Sequence, residues 1–174
     1  MNRHRRSIRL CDYDYTQSGA YFVTICTYER RCLFGQIIDG NMVSNEWGAI
    51  VQEEWEQTAI LRPNVELDTF VVMPNHIHGV IVITDDGRGT MHCAPTYRRE
   101  FSKPVANSLS TIIGTFKAAV TRRINRLPDM PDHPIWQRNY YEHVIRDERS
   151  LNRIRAYVVN NPATWAKDSL FLKT

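Results

Sequence analysis

The sequence predicts an α+β fold, and three observations carry that prediction. Segments with the two-residue alternation of strands occur in both halves of the chain, segments with helical spacing fall between them, and tight turn signals join neighbouring strands. The predicted order is β-β-β-α-β-β-α followed by a late helix. At 174 residues the chain has the length of one well-filled domain. We read 1–174 as a single domain with a basic tail over 1–10 and a mobile loop over 85–106.

Residues 21–27 (YFVTICT) alternate bulky and β-branched side chains, which is the first strand. Residues 33–38 and 42–44 flank Asp39-Gly40-Asn41, whose Asp-Gly step is a strong hairpin signal. From 45 to about 60 the period becomes helical: Trp47, Ile50, Val51, Trp55 and Ile60 share a stripe, and Glu53, Glu54 and Glu56 lie mostly outside it. Ser44 or Asn45 can cap that helix, and Arg62-Pro63-Asn64 ends it. Residues 65–73 and 76–84 read as two strands joined by the tight Pro74-Asn75 link. Residues 85–106 show little periodicity, as a functional flap or a disordered segment does. A second amphipathic helix spans 108–127 with Leu109, Ile112, Ile113, Phe116, Val120 and Ile124 inward and Lys117, Arg122, Arg123 and Arg126 largely outside. After a proline-rich link over 128–134, the aromatic stretch 135–145 reads as a loop leading into a strand or turn. Asp147 caps a last helix from 148 to about 160 with Leu151, Ile154 and Val158 as its core stripe, and Pro162 disfavours helical backbone at Asn161.

The net charge of +3 is unevenly placed: Arg3, Arg5, Arg6 and Arg9 stand in the first nine residues with no acid among them. Cys11, Cys26, Cys32 and Cys93 show no C-x-x-C pairing and no regular spacing, which argues against a zinc knuckle or disulfide framework and for reduced thiols in a cytoplasm. No apolar run approaches a membrane span, so the expectation is a cytoplasmic protein with no membrane partner.

Chemistry concentrates in residues 71–83, VVMPNHIHGVIVI. Side chains alternate along a strand, so His76 and His78 share one face while Ile77 enters the opposite layer, and two neutral imidazoles on one face can hold a metal ion. The ordinary alternative is a solvated pair on an edge strand. In the last helix Tyr157 and Asn161 are four apart, one turn, with Arg153 a turn earlier on the same side. A tyrosine can act as a covalent nucleophile if a nearby cation offsets its pKa near 10, or it can be an amphipathic core residue with its hydroxyl at the surface.

The motif VVMPNHIHGVIVI followed by WQRNYYEHVIRDERSLNRIRAYVVNNPATW resembles the single-tyrosine HUH transposases, and among them the REP-associated tyrosine transposases. RRSIRL and YFVTICTYERRCLFG extend the resemblance through nearly the whole chain. It implies a central antiparallel sheet flanked by helices, similar to ferredoxin-like and RNA-recognition folds. It implies His76 and His78 as metal ligands, Tyr157 as the nucleophile and Asn161 as the polar residue completing the metal site, where many relatives carry glutamine. Imidazoles alone would suit zinc, copper, nickel or iron; the resemblance points to magnesium or manganese. The implied activity is that of a transposase cutting and rejoining single-stranded or hairpin DNA through a 5′-phosphotyrosine link, as a monomer or a homodimer. The basic segments, Arg3, Arg5, Arg6, Lys117, Arg122, Arg123 and Arg153, with Arg146 and Arg155 beside them, would contact phosphates, and Tyr13, Tyr15, Trp136 and Tyr140 are candidates for stacking on bases. The alternatives are a hairpin-DNA-binding regulator of the same fold that does not cut, and a small metal-dependent hydrolase that activates water.

Overall fold

The structure is a computed structural model and describes residues 18–84, 107–128 and 133–171. Arg3, Arg5, Arg6, Tyr13, Tyr15 and the expected loop over 85–106 lie outside the described residues. Within them the chain runs β1 (Gly19–Cys26), β2 (Gly35–Ile38), β3 (Asn41–Ser44), α1 (Glu46–Ile60), β4 (Val65–Met73), β5 (His76–Ile83), α2 (Leu109–Ile124), β6 (Tyr141–Ile145) and α3 (Glu148–Asn160). The aromatic stretch expected to end in a strand or turn supplies β6.

Local signals act where the sequence places them. Asp39 and Gly40 turn between β2 and β3 with φ of 49° and 75°, the left-handed pair that a two-residue hairpin turn requires. Asn45 caps α1 through Gly48 N at 2.9 Å and Asp147 caps α3 through Ser150 N at 2.7 Å, each cap contributing about 1 kcal/mol. Pro162 ends the α-helical ladder at Asn160, but Asn161 keeps helical backbone (φ −59°, ψ −44°) because a 3₁₀ turn over Pro162–Lys167 follows directly. The expected loosening is thus a tightening, with Asn161 N bonded three residues back to Val158 O.

Four strands pair in the order β4-β5-β1-β6, every neighbour antiparallel, and β2–β3 forms a separate ribbon. With α1 and α2 interposed this is β-α-β-β-α-β, the ferredoxin-like split βαβ arrangement. The fold is therefore α+β with a central antiparallel sheet flanked by helices.

Strand parity assigns the two faces. Tyr21, Val23 and Ile25 of β1 and Ile77 and Ile81 of β5 join Val51 and Trp55 of α1 and Ile112, Phe116 and Val120 of α2 in the main core. Phe22 of β1 and Val80 of β5 point the other way and meet Ile145 and Val158, with Leu151 and Ile154 of α3 packed against them. Fully burying such a side chain is worth about 1.5–3 kcal/mol, so the larger α1/α2 face carries most of the stability and α3 rests on a thinner layer. Arg155 ties α3 to β4 through a forked pair with Asp68, Nε to Oδ1 at 2.9 Å and Nη2 to Oδ2 at 2.5 Å. Asp68 lies where the β4–β5 register shifts between Leu67 and Phe70, an irregularity of the kind that re-aims a side chain.

Candidate active site

His76 and His78 have the parity of Val80, so both imidazoles rise on the α3 side of the sheet while Ile77 enters the main core. They are not a solvated edge pair: β5 lies between β4 and β1, and the side chains are 0% and 2% exposed. The two-residue turn at Pro74 and Asn75 is also buried in the fold. Its carbonyls accept from Phe34 N at 3.1 Å and Thr27 N at 2.9 Å, which holds the start of β5 in place. The two Nε2 atoms approach to 3.0 Å. Outward, His76 Nδ1 meets Asn75 Oδ1 at 2.8 Å and His78 Nδ1 meets Thr24 Oγ1 at 2.8 Å.

The capped, amphipathic α3 brings Tyr157 over this pair. Its hydroxyl lies 3.1 Å from His78 Nε2, its ring centroid 6.1 Å from that of Phe22, and 46% of the residue is exposed to solvent. One turn later Asn161 is buried, and its Nδ2 donates to Asp168 Oδ2 at 2.9 Å. Asp168 follows the 3₁₀ turn, whose Trp165 is buried against His76 with ring centroids 5.7 Å apart. The Tyr157 hydroxyl donates to the same Oδ2 at 3.4 Å, and Leu170 N donates to Oδ1 at 2.6 Å. His76, His78, Tyr157 and Asn161 are therefore brought together, and Asp168 joins them.

Burial dominates the electrostatics. It lowers the His76 pKa to about 4, against an upward pull from the Asp168 carboxylate and with a further lowering by Arg30. For His78 burial and the neighbouring His76 lower it to about 3. Both imidazoles are thus neutral at pH 7 and have lone pairs to offer. Burial also tends to raise Asp168, but the Leu170 amide, the Asn161 carboxamide and the two imidazoles outweigh it, and its carboxyl stays below the usual range. Tyr157 moves the other way. Burial first, then the Asp168 charge and hydrogen bond, push its phenol up to about 12.

His76, His78 and Asp168 offer ligand atoms that all lie within 4.8 Å of one another, a group that could hold a metal ion. One further atom fits such an ion. Asn161 Oδ1 is buried without a hydrogen-bond partner among the described residues, a costly condition for an amide oxygen. Two imidazole nitrogens, a carboxylate oxygen and an amide oxygen suit a divalent cation, which would attract an anionic oxygen or lower the phenol pKa.

A cavity of about 460 Å³ opens beside Tyr157 and His78, walled by Phe22, Tyr140 and Tyr141 and edged by Arg30, Gln137 and Asn139. Tyr140 lines the cavity while packing partly against the main core, in which Trp136 is buried. The basic residues of α2 belong to the opposite layer. Lys117, its pKa lowered to about 8 by burial, donates to Gln137 O at 2.6 Å and Arg138 O at 3.3 Å, beneath the rim of the cavity. Arg123 forks onto Glu53 at 2.6 Å and Glu54 at 3.0 Å of α1. Arg122 is exposed in an open groove of about 610 Å³ with Lys117 and Arg126, and Arg153 and Arg146 are exposed. Sequence reasoning missed Asp168, Thr24 and Arg30. Thr24 was recoverable, because a strand paired with β5 must place a residue opposite His78; no motif or spacing marks Asp168.

No protein-family model matches the chain. A protein of Haemophilus influenzae described as an uncharacterized protein is 42% identical over 172 residues, covering 97% of this chain and 94% of that one. In structure the chain is similar to a REP-associated tyrosine transposase solved bound to a REP hairpin, with a TM-score of 0.59 and 19% identity over 95% of this chain and 74% of that one. At that identity the likeness shows the fold. No helix among the described residues is long and apolar enough to cross a membrane.

Proposed function

The chain belongs to one family with the Haemophilus influenzae protein, and we propose for it a metal-dependent tyrosine transposase activity: transesterification of single-stranded DNA at small palindromic hairpins. The observation that carries the reading is the Tyr157 hydroxyl 3.1 Å from His78 Nε2, above a buried, neutral imidazole pair. The fold shared with the hairpin-bound transposase supports it. So does the resemblance of the two motifs.

In the proposed reaction Tyr157 Oη attacks the scissile phosphorus in line, the new P–O bond replaces the bond to the 3′-oxygen, and a 5′-phosphotyrosine and a free 3′-hydroxyl result. His76, His78 and Asp168, with Asn161 beside them, would hold magnesium or manganese. When bound, such an ion supplies Lewis-acid stabilisation of the phosphate charge and favours the phenolate. Asp168 Oδ2 accepts the hydroxyl's hydrogen bond at 3.4 Å and orients it; the phenolic proton passes to solvent and the departing 3′-oxygen takes one up, so the step is neutral in protons. The ester keeps the bond energy, so a second 3′-hydroxyl can reverse the step without ATP. Arg30, Arg153 and Arg122 would contact phosphates together with Arg3, Arg5 and Arg6; Lys117 and Arg123 would do so only on leaving their present partners.

The shared fold alone would also serve a second reading, a hairpin-binding regulator that does not cut. One experiment separates them. A labelled single-stranded hairpin incubated with the protein and manganese should give a protein-linked band that Tyr157→Phe abolishes, with hairpin binding retained. No band from the native chain refutes cutting; a band surviving in Tyr157→Phe moves the nucleophile to Tyr140 or Tyr141 at the cavity wall.

A further inference from the structure

We propose that Asn75 and Thr24 are positioning residues that decide where the two imidazoles carry hydrogen, and that Asn75 also anchors the segment bearing Asp168. The inference rests on reading the imidazole pair as a metal centre and deepens it.

Donors and acceptors around Asn75 fix its orientation. Its Nδ2 lies 3.1 Å from Arg30 O and 2.9 Å from Leu170 O, and both are carbonyls that can only accept. The amide orientation is therefore set by its surroundings, with nitrogen toward the carbonyls and oxygen toward His76. That oxygen, 2.8 Å from His76 Nδ1, cannot donate, so Nδ1 carries the hydrogen and Nε2 presents a lone pair. Asn75 is fully buried, and its bond to His76 is closed off from solvent. The same bond to Leu170 O fixes the turn in which Leu170 N holds Asp168 Oδ1, which links the histidine and the carboxylate through one side chain.

Thr24 answers a different need. Its strand pairs it with His78, and its hydroxyl lies 2.8 Å from His78 Nδ1. Because His76 Nε2 is a lone pair, hydrogen on the 3.0 Å line between the two Nε2 atoms can come only from His78. His78 Nδ1 then accepts from the Thr24 hydroxyl. Once a cation draws both Nε2 lone pairs, the hydrogen of His78 must sit on Nδ1, and the hydroxyl turns to accept it. One proton leaves Nε2 and one arrives at Nδ1 by exchange with solvent, so the imidazole stays neutral throughout. A hydroxyl serves both states; a methyl in its place serves neither.

The first test needs neither metal nor DNA. Imidazole ¹⁵N–¹H correlation spectra of the full chain should show His76 with its hydrogen on Nδ1, and hydrogen on Nε2 would overturn the assignment. The second is manganese titration by calorimetry. Thr24→Val should weaken binding by about 10- to 100-fold, the usual cost of losing an outer hydrogen-bond partner, and Thr24→Ser should restore it. Asn75→Ala should weaken binding similarly and let both His76 tautomers appear. Native-like manganese affinity in Thr24→Val would overturn the role of Thr24 without needing Asn75→Ala to fold. A chain with the expected His76 tautomer that binds no manganese refutes the metal reading and leaves the Asn75 assignment standing.

Discussion

Acid should unfold this protein earlier than its carboxylates alone would. In an unfolded chain both imidazoles titrate near 6.5, whereas in the fold burial holds them at about 4 for His76 and about 3 for His78. Between those values the unfolded state binds protons that the native state refuses, so stability is complete above about 6.5 and is lost as pH falls toward the folded values. Each group contributes a slope approaching about 1.4 kcal/mol per pH unit, and lowering pH from 7 to 5 removes about 2 kcal/mol per imidazole, about 4 together. Against a total of about 5–15 kcal/mol that is a large loss. Asp68 and Asp168, both held below the ordinary carboxylate range, release their share only at still lower pH. The assay is urea unfolding in a chelating buffer at half-unit steps from pH 7 to 5, with His78→Gln as comparison, which should roughly halve the slope. A flat native profile over that window would refute the assignment of two buried neutral imidazoles.

Three further outcomes follow from the same geometry. Asp168→Asn should weaken manganese binding by tenfold or more, on the order expected for a charged ligand or its close support, and should lower the Tyr157 pKa, read by ¹³C NMR of labelled tyrosine, because the carboxylate helps to raise it. Arg155→Ala removes the forked tie between α3 and Asp68, so phosphotyrosine formation should slow by up to about 100-fold while manganese affinity changes far less, the pattern of a misplaced nucleophile. Gly79→Ala would set a methyl 2.4 Å from Trp55 Cζ2 in the packed core, and thermal melts should show a loss of about 1–3 kcal/mol.

Legibility followed the range of the interactions concerned. The alternation through His76, Ile77 and His78 is local, and it puts both imidazoles on one shared face; the caps Asn45 and Asp147 act within one helical turn and stand where their residue types put them. Asp168 was not legible, since it reaches the site only because Trp165 packs beside His76 and the tail folds back, and neither event leaves a period in the sequence. The α2 arginines show the same limit. Helical spacing puts Arg123 outside the core stripe, but whether it then faces solvent or the glutamates of α1 depends on helix packing. The phenol of Tyr157 is marked by the motif; its raised pKa comes first from burial and then from a carboxylate that no motif foretells.

The buried turn at Pro74 and Asn75 makes this centre depend on counting. Substitutions around it alter strength by degrees, but inserting or deleting one residue between that anchor and Gly79 would reverse which side chains rise and which sink, handing the cleft an isoleucine and driving imidazoles into oil. Length, more than identity, is what this stretch of chain has least freedom to vary.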